Sequence, residues 1–204
     1  MVRTIRVLLA DDQALVRGAM AALLNLERDL EVVAELPDGT GVLDAVLEHA
    51  VDVCVLDIQM PGMDGIEAAA TVRAGAPGCR TLMVTTFGRT GYLRRALEAG
   101  ASGFVVKDTP ASQLAEAIRK VHAGLRVVDP QLAAESLAEG SNPLSERERE
   151  VLALARDGLP VASIAARVHL SAGTVRNHLS AAIGKTGAAN RIAAAKTAAE
   201  RGWL

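Results

Sequence analysis

The sequence predicts a doubly wound α/β domain with a parallel sheet, followed by a small domain made only of helices. Three observations lead to this prediction. Short apolar runs alternate with helical patterns five times within about the first 125 residues, and polar side chains follow most of these runs. Residues 1–142 carry 13 basic and 19 acidic side chains, whereas residues 143–204 carry 9 and 5. An acidic N-terminal part and a basic C-terminal part of the chain indicate two domains with different partners.

The first domain is expected to contain five strands, because strands that are buried on both faces of a parallel sheet are nearly all apolar. The predicted strands are residues 5–10, 31–36, 52–56, 81–84 and 103–106. The predicted helices are residues 14–26, 41–49, 66–74, 92–99 and 112–122. Glu31 and Glu35 leave the second strand half exposed. We expect the strand order 2-1-3-4-5, in which strands 1 and 3 are neighbours where the order reverses.

The second domain is expected to begin with a capped helix. Residues 1–123 are predicted as one domain, 124–142 as a linker with a short helix near 132–138, and 143–204 as the other domain. Ser145 and Glu148 have the spacing of a capping box, and the helix that they open should stop at Gly158. Three further helices should follow Pro160, Ser171 and about Asn190.

The composition narrows the class of protein. No apolar run approaches the roughly 20 residues of a membrane span, and the N-terminus lacks a signal-peptide pattern. Cys54 and Cys79 have no metal-ligand spacing. We therefore expect a cytoplasmic protein with reduced thiols and no membrane insertion.

Polar residues of defined types follow four of the predicted strands: Asp11 and Asp12 the first, Asp57 the third, Thr85 the fourth and Lys107 the fifth. In a doubly wound sheet, these positions lie along one edge, so we expect the carboxylates to cluster opposite Thr85 and Lys107. Clustered carboxylates repel one another, and Mg²⁺, which prefers oxygen ligands, would relieve that repulsion. Such a site suits a phosphoryl group: the Asp57 carboxylate attacks phosphorus, Mg²⁺ and Lys107 neutralise the charge, and Thr85 donates a hydrogen bond.

Each of these residues also has a simpler interpretation. An aspartate directly after a strand most often caps the next helix, which explains Asp12 or Asp57 taken alone. Lys107 alone would be a solvated lysine, and Thr85 alone a hydroxyl at the edge of the core. The five polar residues of these types together at successive strand ends favour the phosphoryl site.

The second and third helices of the basic domain predict a helix-turn-helix. Val175, Leu179 and Ile183 recur every four residues and should face the core. The candidate DNA-reading residues on the other side are Arg176, Asn177 and Ser180, and the candidate phosphate contacts are Thr174, Lys185 and Arg191. A small helical bundle with a polar face is the alternative interpretation.

The motif "VLDIQMPGMDG", together with the acid pair, the threonine and the lysine, resembles the receiver domain of bacterial two-component response regulators over about residues 3–123. The resemblance implies a flavodoxin-like fold with Asp57 as phospho-acceptor. It also implies that Asp11, Asp12 and Asp57 hold Mg²⁺ with the backbone carbonyl of Gln59. Thr85 and Phe104 match the family's switch pair, in which the hydroxyl moves toward the phosphoryl group and the ring turns inward.

Residues 143–204 resemble the DNA-binding domain of the NarL/FixJ (LuxR-type) regulators through "LSEREREVLALARDGLPVASIAARVHLSAGTVRNHL" and "NRIAA". "LLNLERDLEVVAE", "VTTFGRTGYLRRALEAG" and "ERGWL" are further similar to the desaturase-regulator subgroup. The resemblance implies a transcription factor that a sensor histidine kinase phosphorylates and that forms a homodimer on double-stranded DNA. Membrane-lipid genes are the targets that the subgroup suggests, and contact with RNA polymerase is left open.

Two details of the resemblance leave alternatives. The receiver pairs through helices 1 and 5 or through helices 4 and 5. The last helix often pairs monomers in this family, and its Ala193, Ala194 and Ala198 allow close approach, but the same stripe suits packing within its own domain.

Two rival functions remain at the level of sequence. The acidic cleft would suit a Mg²⁺-dependent phosphatase with Asp57 as nucleophile. That class needs a second acid two residues later, where this chain has Gln59, so we do not expect a turnover enzyme. The other rival is a constitutive DNA binder whose first domain serves only for dimerisation.

Overall fold

The computed structural model describes residues 4–86, 90–129, 133–134 and 142–204. The chain divides into two compact units, one of which contains residues 4–86 and 92–129 and the other residues 142–204. The short helix predicted near 132–138 lies outside the described residues except for 133–134, which are helical. Among the described helices, none is long and apolar enough to cross a membrane.

A parallel sheet forms the centre of the first unit, with the strand order β2-β1-β3-β4-β5-β6. Its strands are β1 (Ile5–Ala10), β2 (Leu30–Leu36), β3 (Val53–Asp57), β4 (Arg80–Thr85), β5 (Gly103–Val106) and β6 (Val127–Val128). β3 is buried along its whole length, whereas β2 lies at the edge with Glu31 and Glu35 exposed. The predicted order of the first five strands is confirmed.

The sixth strand was not predicted. Val127–Val128 lies within the residues expected to form the linker, yet it pairs with Gly103 and Phe104 of β5. The backbones can approach because position 103 has no side chain: a Cβ there would lie 3.1 Å from the Val127 carbonyl oxygen and 2.6 Å from Leu82 Cδ1. Two residues are too short a run for an apolar pattern to reveal. The first unit therefore extends beyond residue 123, and the predicted domain boundaries stay a prediction.

Helices cover both faces of the sheet. They are α1 (Ala14–Leu24), α2 (Val42–Glu48), α3 (Gly65–Gly75), α4 (Thr90–Ala99) and α5 (Ala111–His122). Successive side chains of a strand point to opposite faces, so Val7 and Leu9 of β1 pack with α1 and α5, and Leu8 packs with α2, α3 and α4. This alternation produces two aliphatic cores, one on each side of the sheet.

The second unit is a bundle of four described helices, α6 (Glu146–Arg156), α7 (Val161–Arg167), α8 (Ala172–Thr186) and α9 (Arg191–Glu200). The predicted capping box is present, because the Ser145 hydroxyl accepts from the Glu148 N–H and the Glu148 carboxylate accepts from the Ser145 N–H. Ser171 and Asn190 cap α8 and α9 in the same manner with their side-chain oxygens. Three of the four predicted helix starts are thus explained by a side chain that accepts from free backbone N–H groups, whereas Pro160, before α7, makes no such bond.

Candidate functional site

The carboxyl ends of β1, β3, β4 and β5 bring the predicted polar residues to one edge of the sheet. Asp57 and Thr85 are the last residues of β3 and β4, and Asp11 and Lys107 directly follow β1 and β5. Carboxylate oxygens of Asp11, Asp12 and Asp57 lie within 4.8 Å of one another. Of the three acids, the first and last are buried and Asp12 is exposed. The predicted clustering of the acids is therefore seen in the structure.

Lys107 joins the two buried carboxylates. Its Nζ lies 2.7 Å from Asp11 Oδ2 and 3.0 Å from Asp57 Oδ2, and its own N–H donates to the Thr85 carbonyl oxygen. Burial lowers the pKa of Lys107, but its hydrogen bonds to the two carboxylates outweigh burial and raise the pKa above its usual value. The lysine is therefore charged at neutral pH and is held at the mouth of the acidic cluster.

Burial is also the main influence on Asp57. It raises the pKa of Asp57 above the ordinary value, although the hydrogen bond from Lys107 and the backbone N–H of Gln59 oppose the change. A raised pKa means that the ionised form of the carboxylate is less stable here than it is in water. A nearby cation would reduce that cost.

The acidic cluster fits a hard divalent cation. One ammonium set against three carboxylates leaves an excess of negative charge, and the donor atoms gathered here are all oxygens. Mg²⁺ takes oxygen ligands and is commonly held by one or two carboxylates together with water. The residues present thus suit the Mg²⁺ that was expected, and Asp12 offers an exposed carboxylate to it.

Gly65 explains part of the sequence motif after Asp57. A Cβ at position 65 would lie 2.0 Å from the Asp57 carbonyl oxygen, and the Gly65 N–H donates to the Ile58 carbonyl oxygen. Asp64, just before it, caps α3 through a second capping box with Glu67. The loop after β3 therefore closes tightly against the end of the strand that carries Asp57.

The two residues matched to a switch pair are both buried. Thr85 and Phe104 are each 1% exposed, and the Phe104 ring belongs to the core beneath α4 with Leu93 and Ala96. The ring therefore already occupies an inward position. Gln59 is exposed, and its side-chain amide donates to the Tyr92 hydroxyl at 3.3 Å.

Sequence reasoning missed Arg17, whose guanidinium donates from Nη1 to the backbone carbonyl of Asp11. The sequence does contain a signal for this contact. Arg17 lies in the first turn of α1, where the helix dipole disfavours a cation, so a nearby acceptor is needed to hold it there. The acid pair directly before the helix supplies that acceptor.

In the second unit, α8 separates its two faces as predicted. Val175 and Leu179 are buried in the core of the bundle, whereas Arg176, Asn177 and Ser180 are exposed. A helix of 15 residues with an arginine, an amide and a hydroxyl on its open side can enter a major groove and contact base edges.

The three residues predicted to contact DNA phosphates differ from one another in their exposure and in their partners within the protein. Thr174 is half-buried, with its hydroxyl 2.8 Å from the Ser171 hydroxyl, and Arg191 begins α9 and is partly exposed. Lys185 donates to both oxygens of Glu148, at 2.9 and 2.7 Å. Lys185 thus has a structural role within the bundle, and its contact with DNA stays a prediction.

The alanine stripe of the last helix packs within its own unit. Ala194 and Ala198 are fully buried in the core of the bundle, and Ala193 is partly buried. Of the two uses that the sequence left open, the structure shows packing within the domain. Ala194 and Ala198 are therefore not available as a contact between monomers.

Comparison with protein families gives two matches. Residues 7–119 match the response regulator receiver domain, and residues 142–198 match the bacterial regulatory proteins of the luxR family. The chain is 43% identical over 200 residues to the transcriptional regulatory protein DesR of Bacillus subtilis, with 98% of this chain and 99% of that protein covered. It is 40% identical over 201 residues to the response regulator RamR of Streptomyces coelicolor, with 98% of each covered.

Two solved structures of response regulators are also similar to this chain. The response regulator ChrA of a heme-sensing two-component system is 36% identical, with a TM-score of 0.59 over 98% of this chain and 99% of that one. RcsB from Salmonella enterica serovar Typhimurium, bound to a promoter in the presence of a phosphate mimic, is 25% identical. Its TM-score is 0.70 over 97% of this chain and 99% of that one.

Proposed function

Because this chain belongs to the response regulators with a LuxR-type DNA-binding domain, we propose that it is a transcription factor switched by phosphorylation of Asp57. The family is one of DNA-binding transcription regulators and not of turnover enzymes, so the phosphatase interpretation is set aside. The observation that carries the proposal is the joint contact of Lys107 with Asp11 and Asp57 at the edge of the sheet.

The proposed donor is a phosphohistidine of a sensor histidine kinase. A carboxylate oxygen of Asp57 forms a bond to phosphorus while the P–N bond of the donor breaks and its electron pair stays on the imidazole. Lys107 neutralises one of the phosphoryl oxygens, and Thr85 moves to donate a hydrogen bond to another. Phe104 is already buried, so the movement of Thr85 is the larger part of the proposed switch.

The proposed Mg²⁺ ligands are Asp11, Asp12, Asp57 and the backbone carbonyl of Gln59. When bound, the ion would neutralise charge on the transferred group. The protein's own part is to hold three carboxylates within 4.8 Å and to place Lys107 on the two that are buried. The acceptor carboxylate, the candidate cation ligands and the ammonium are thus gathered at one edge of the sheet.

A second copy of this chain is the proposed partner for the face formed by α1 and α5. Leu15 and Leu23 of α1 are 86% and 47% exposed beside an apolar cavity of about 290 Å³ whose lining includes Met20 and Leu114. A twofold interface uses the same surface patch on both subunits, so in the proposed dimer the exposed leucines of each copy pack against the cavity of the other. Lys107 also lines the cavity, so this one residue belongs both to the phosphoryl site and to the proposed dimer face.

In the proposed complex with DNA, α8 enters the major groove of each half-site. Arg176, Asn177 and Ser180 read bases, and Thr174, Lys185 and Arg191 are the candidate phosphate contacts. A twofold dimer predicts inverted or near-palindromic half-sites. The similarity to DesR makes genes of membrane-lipid desaturation the first promoters to test.

The test is phosphorylation with acetyl phosphate and Mg²⁺, followed by footprinting on a candidate promoter. We expect the wild type to gain one phosphoryl group and to bind DNA more tightly, and Asp57→Asn to do neither. Asp108→Asn is the matched control, because this carboxylate is exposed near the same edge of the sheet. If Asp57→Asn and acetyl phosphate both leave DNA binding unchanged, the chain is a constitutive DNA binder.

A further inference from the structure

Arg17 is a half-buried cation beside the acidic cluster. Its side chain is 17% exposed, it lies in the first turn of α1, and its Nη1 donates to the Asp11 carbonyl oxygen. Both burial and the helix dipole disfavour a positive charge at this position. The hydrogen bond to the Asp11 carbonyl oxygen opposes these two costs.

The orientation of the Asp11 carbonyl group matters for the proposed cation site. It belongs to the peptide plane that joins Asp11 to Asp12, so its orientation influences the direction of both carboxylates. Other contacts hold the rest of Asp11: its N–H donates to the Leu36 carbonyl, and its Oδ1 accepts from the Gln13 N–H at 2.8 Å. Arg17 adds a contact at the carbonyl, and its Nε lies 3.6 Å from Glu35 Oε2 at the end of β2.

We propose that Arg17 is a positioning residue for the divalent cation, acting through the Asp11–Asp12 peptide. This inference rests on the proposed Mg²⁺ site. Groups that orient metal ligands from behind typically change metal affinity by about 10- to 100-fold when they are replaced. We expect a loss of about tenfold here, because the other contacts of Asp11 remain.

Charge alone would give the opposite sign. A guanidinium near a cation site repels the cation, so its removal would strengthen binding if repulsion dominated. Two features favour positioning: Nη1 contacts the carbonyl oxygen of Asp11, and Glu35 offsets part of the charge. The direction of the change in affinity therefore separates the two explanations.

Arg6 provides a matched control at the other end of β1. Its Nε donates to the His49 carbonyl at 2.7 Å, and its Nη1 lies 3.3 Å from Glu31 of β2. Arg6→Gln thus removes a carbonyl contact and a β2 ion pair of the same chemical kind, far along the strand from the acids. It reports any loss of affinity that comes only from weakening this domain.

The experiment measures Mn²⁺ binding by electron paramagnetic resonance and Mg²⁺ binding by calorimetry, on the full chain without a phosphodonor. We expect Arg17→Gln to bind both ions about tenfold more weakly and Arg6→Gln to match the wild type. Labelling by acetyl phosphate should then need about tenfold more Mg²⁺ for Arg17→Gln but reach the wild-type rate at saturation. Arg17→Lys keeps the charge but loses the planar guanidinium group. Its affinity for both ions should therefore lie between that of the wild type and that of Arg17→Gln.

Wild-type affinity, or tighter binding, in folded Arg17→Gln would overturn the proposal, as would an equal loss in Arg6→Gln. If Arg17→Gln does not fold, Arg17→Lys decides, and unchanged affinity there would also overturn it. Failure of the underlying site has a separate signature: the wild type itself would bind neither ion, or Asp11→Asn would bind as the wild type does.

Discussion

Glu148 and Lys185 connect the start of α6 to the end of α8. Oε2 of Glu148 accepts from the Ser145 N–H to close the capping box, and Lys185 Nζ lies 2.7 Å from Oε2 and 2.9 Å from Oε1 of the same carboxylate. The carboxylate is buried, whereas Lys185 is 39% exposed. One acid therefore caps a helix and anchors the helix that carries the candidate DNA-reading residues.

Replacement of Lys185 is expected to lower stability. Lys185→Met leaves a buried carboxylate with fewer partners, and we expect the free energy of unfolding of the second unit to fall by about 1 kcal/mol, since the pair is partly exposed to solvent. Trp203 is the chain's only tryptophan and lies in the core of this unit, so its fluorescence in urea reports this unfolding.

Arg176→Ala is the matched control for that measurement. Arg176 is exposed on the open side of α8, so its loss should leave the urea midpoint unchanged and weaken promoter binding by about 1–3 kcal/mol. A Lys185→Met protein as stable as the wild type but impaired on DNA would instead support the phosphate contact that the sequence suggested.

The stability of the second unit should depend on the ionisation of Glu148. Burial raises its pKa, but the hydrogen bonds from Lys185 and Ser145 outweigh burial and hold the pKa below the usual 4.5. A depressed pKa in the folded state gives stability that is present above the unfolded value and is lost as the pH falls through the folded value. We therefore expect the stabilisation to be complete above about pH 5, to decline as the pH falls past 4.5, and to be lost once the pH has fallen through the lower folded-state pKa.

The comparison that isolates this effect is Glu148→Gln. Trp203 fluorescence should show the wild type more stable than the variant at pH 7, with the difference shrinking as the pH is lowered through the acid range. A difference that stays constant with pH would mean that the shape of the side chain, and not its charge, stabilises the cap.

Dimerisation offers a prediction about α1. Leu15→Glu and Leu23→Glu place a charge beside the apolar cavity, so we expect each to weaken self-association of the protein treated with beryllofluoride by at least about tenfold. Acetyl phosphate should still label both variants, because neither leucine is one of the proposed cation ligands or phosphoryl-contacting residues. Analytical ultracentrifugation of each variant with and without beryllofluoride measures the effect.

Leu47→Glu is the control for that series. Leu47 is 61% exposed and belongs to α2, which packs on the opposite face of the sheet from α1 and α5. It should associate as the wild type does. Equal weakening by Leu47→Glu, or no weakening by either α1 variant, would place the dimer contact elsewhere, with the face of α4 and α5 as the remaining expectation.

The parts of the site that could be predicted lie at fixed positions relative to strands. Asp57, Thr85 and Lys107 each end or follow an apolar run, and parallel strands bring such positions to one edge without further information. The same applies to Ser145, Ser171 and Asn190, because a cap acts on backbone groups two or three residues away. Local spacing was therefore enough to identify them.

Contacts between distant residues could not be predicted in that way. Lys185 and Glu148 are 37 residues apart, and their pairing depends on how α6 packs against α8. The burial of Ala194 and Ala198 likewise depends on which face α9 turns to the bundle. Helical periodicity shows that a face is apolar or small but does not show what covers it.

The loop after β3 gives a last prediction, which compares two glycines. A Cβ at Gly65 would lie 2.0 Å from the Asp57 carbonyl oxygen, so Gly65→Ala must move the backbone that carries the acceptor. A displacement of about 1 Å at a reacting group can cost on the order of 100-fold in rate, and we expect a loss of that size in labelling of Asp57 by acetyl phosphate.

Gly18 provides the control, because it lies within α1 with nothing within 4 Å of the position that a Cβ would take. Gly18→Ala should keep the wild-type labelling rate and raise the free energy of unfolding by about 0.5–1 kcal/mol, because alanine favours helix over glycine. Quantitative mass spectrometry of the labelled aspartate, beside thermal unfolding of both variants, checks the pair; equal labelling rates would mean that the tight closure of this loop does not set the position of Asp57.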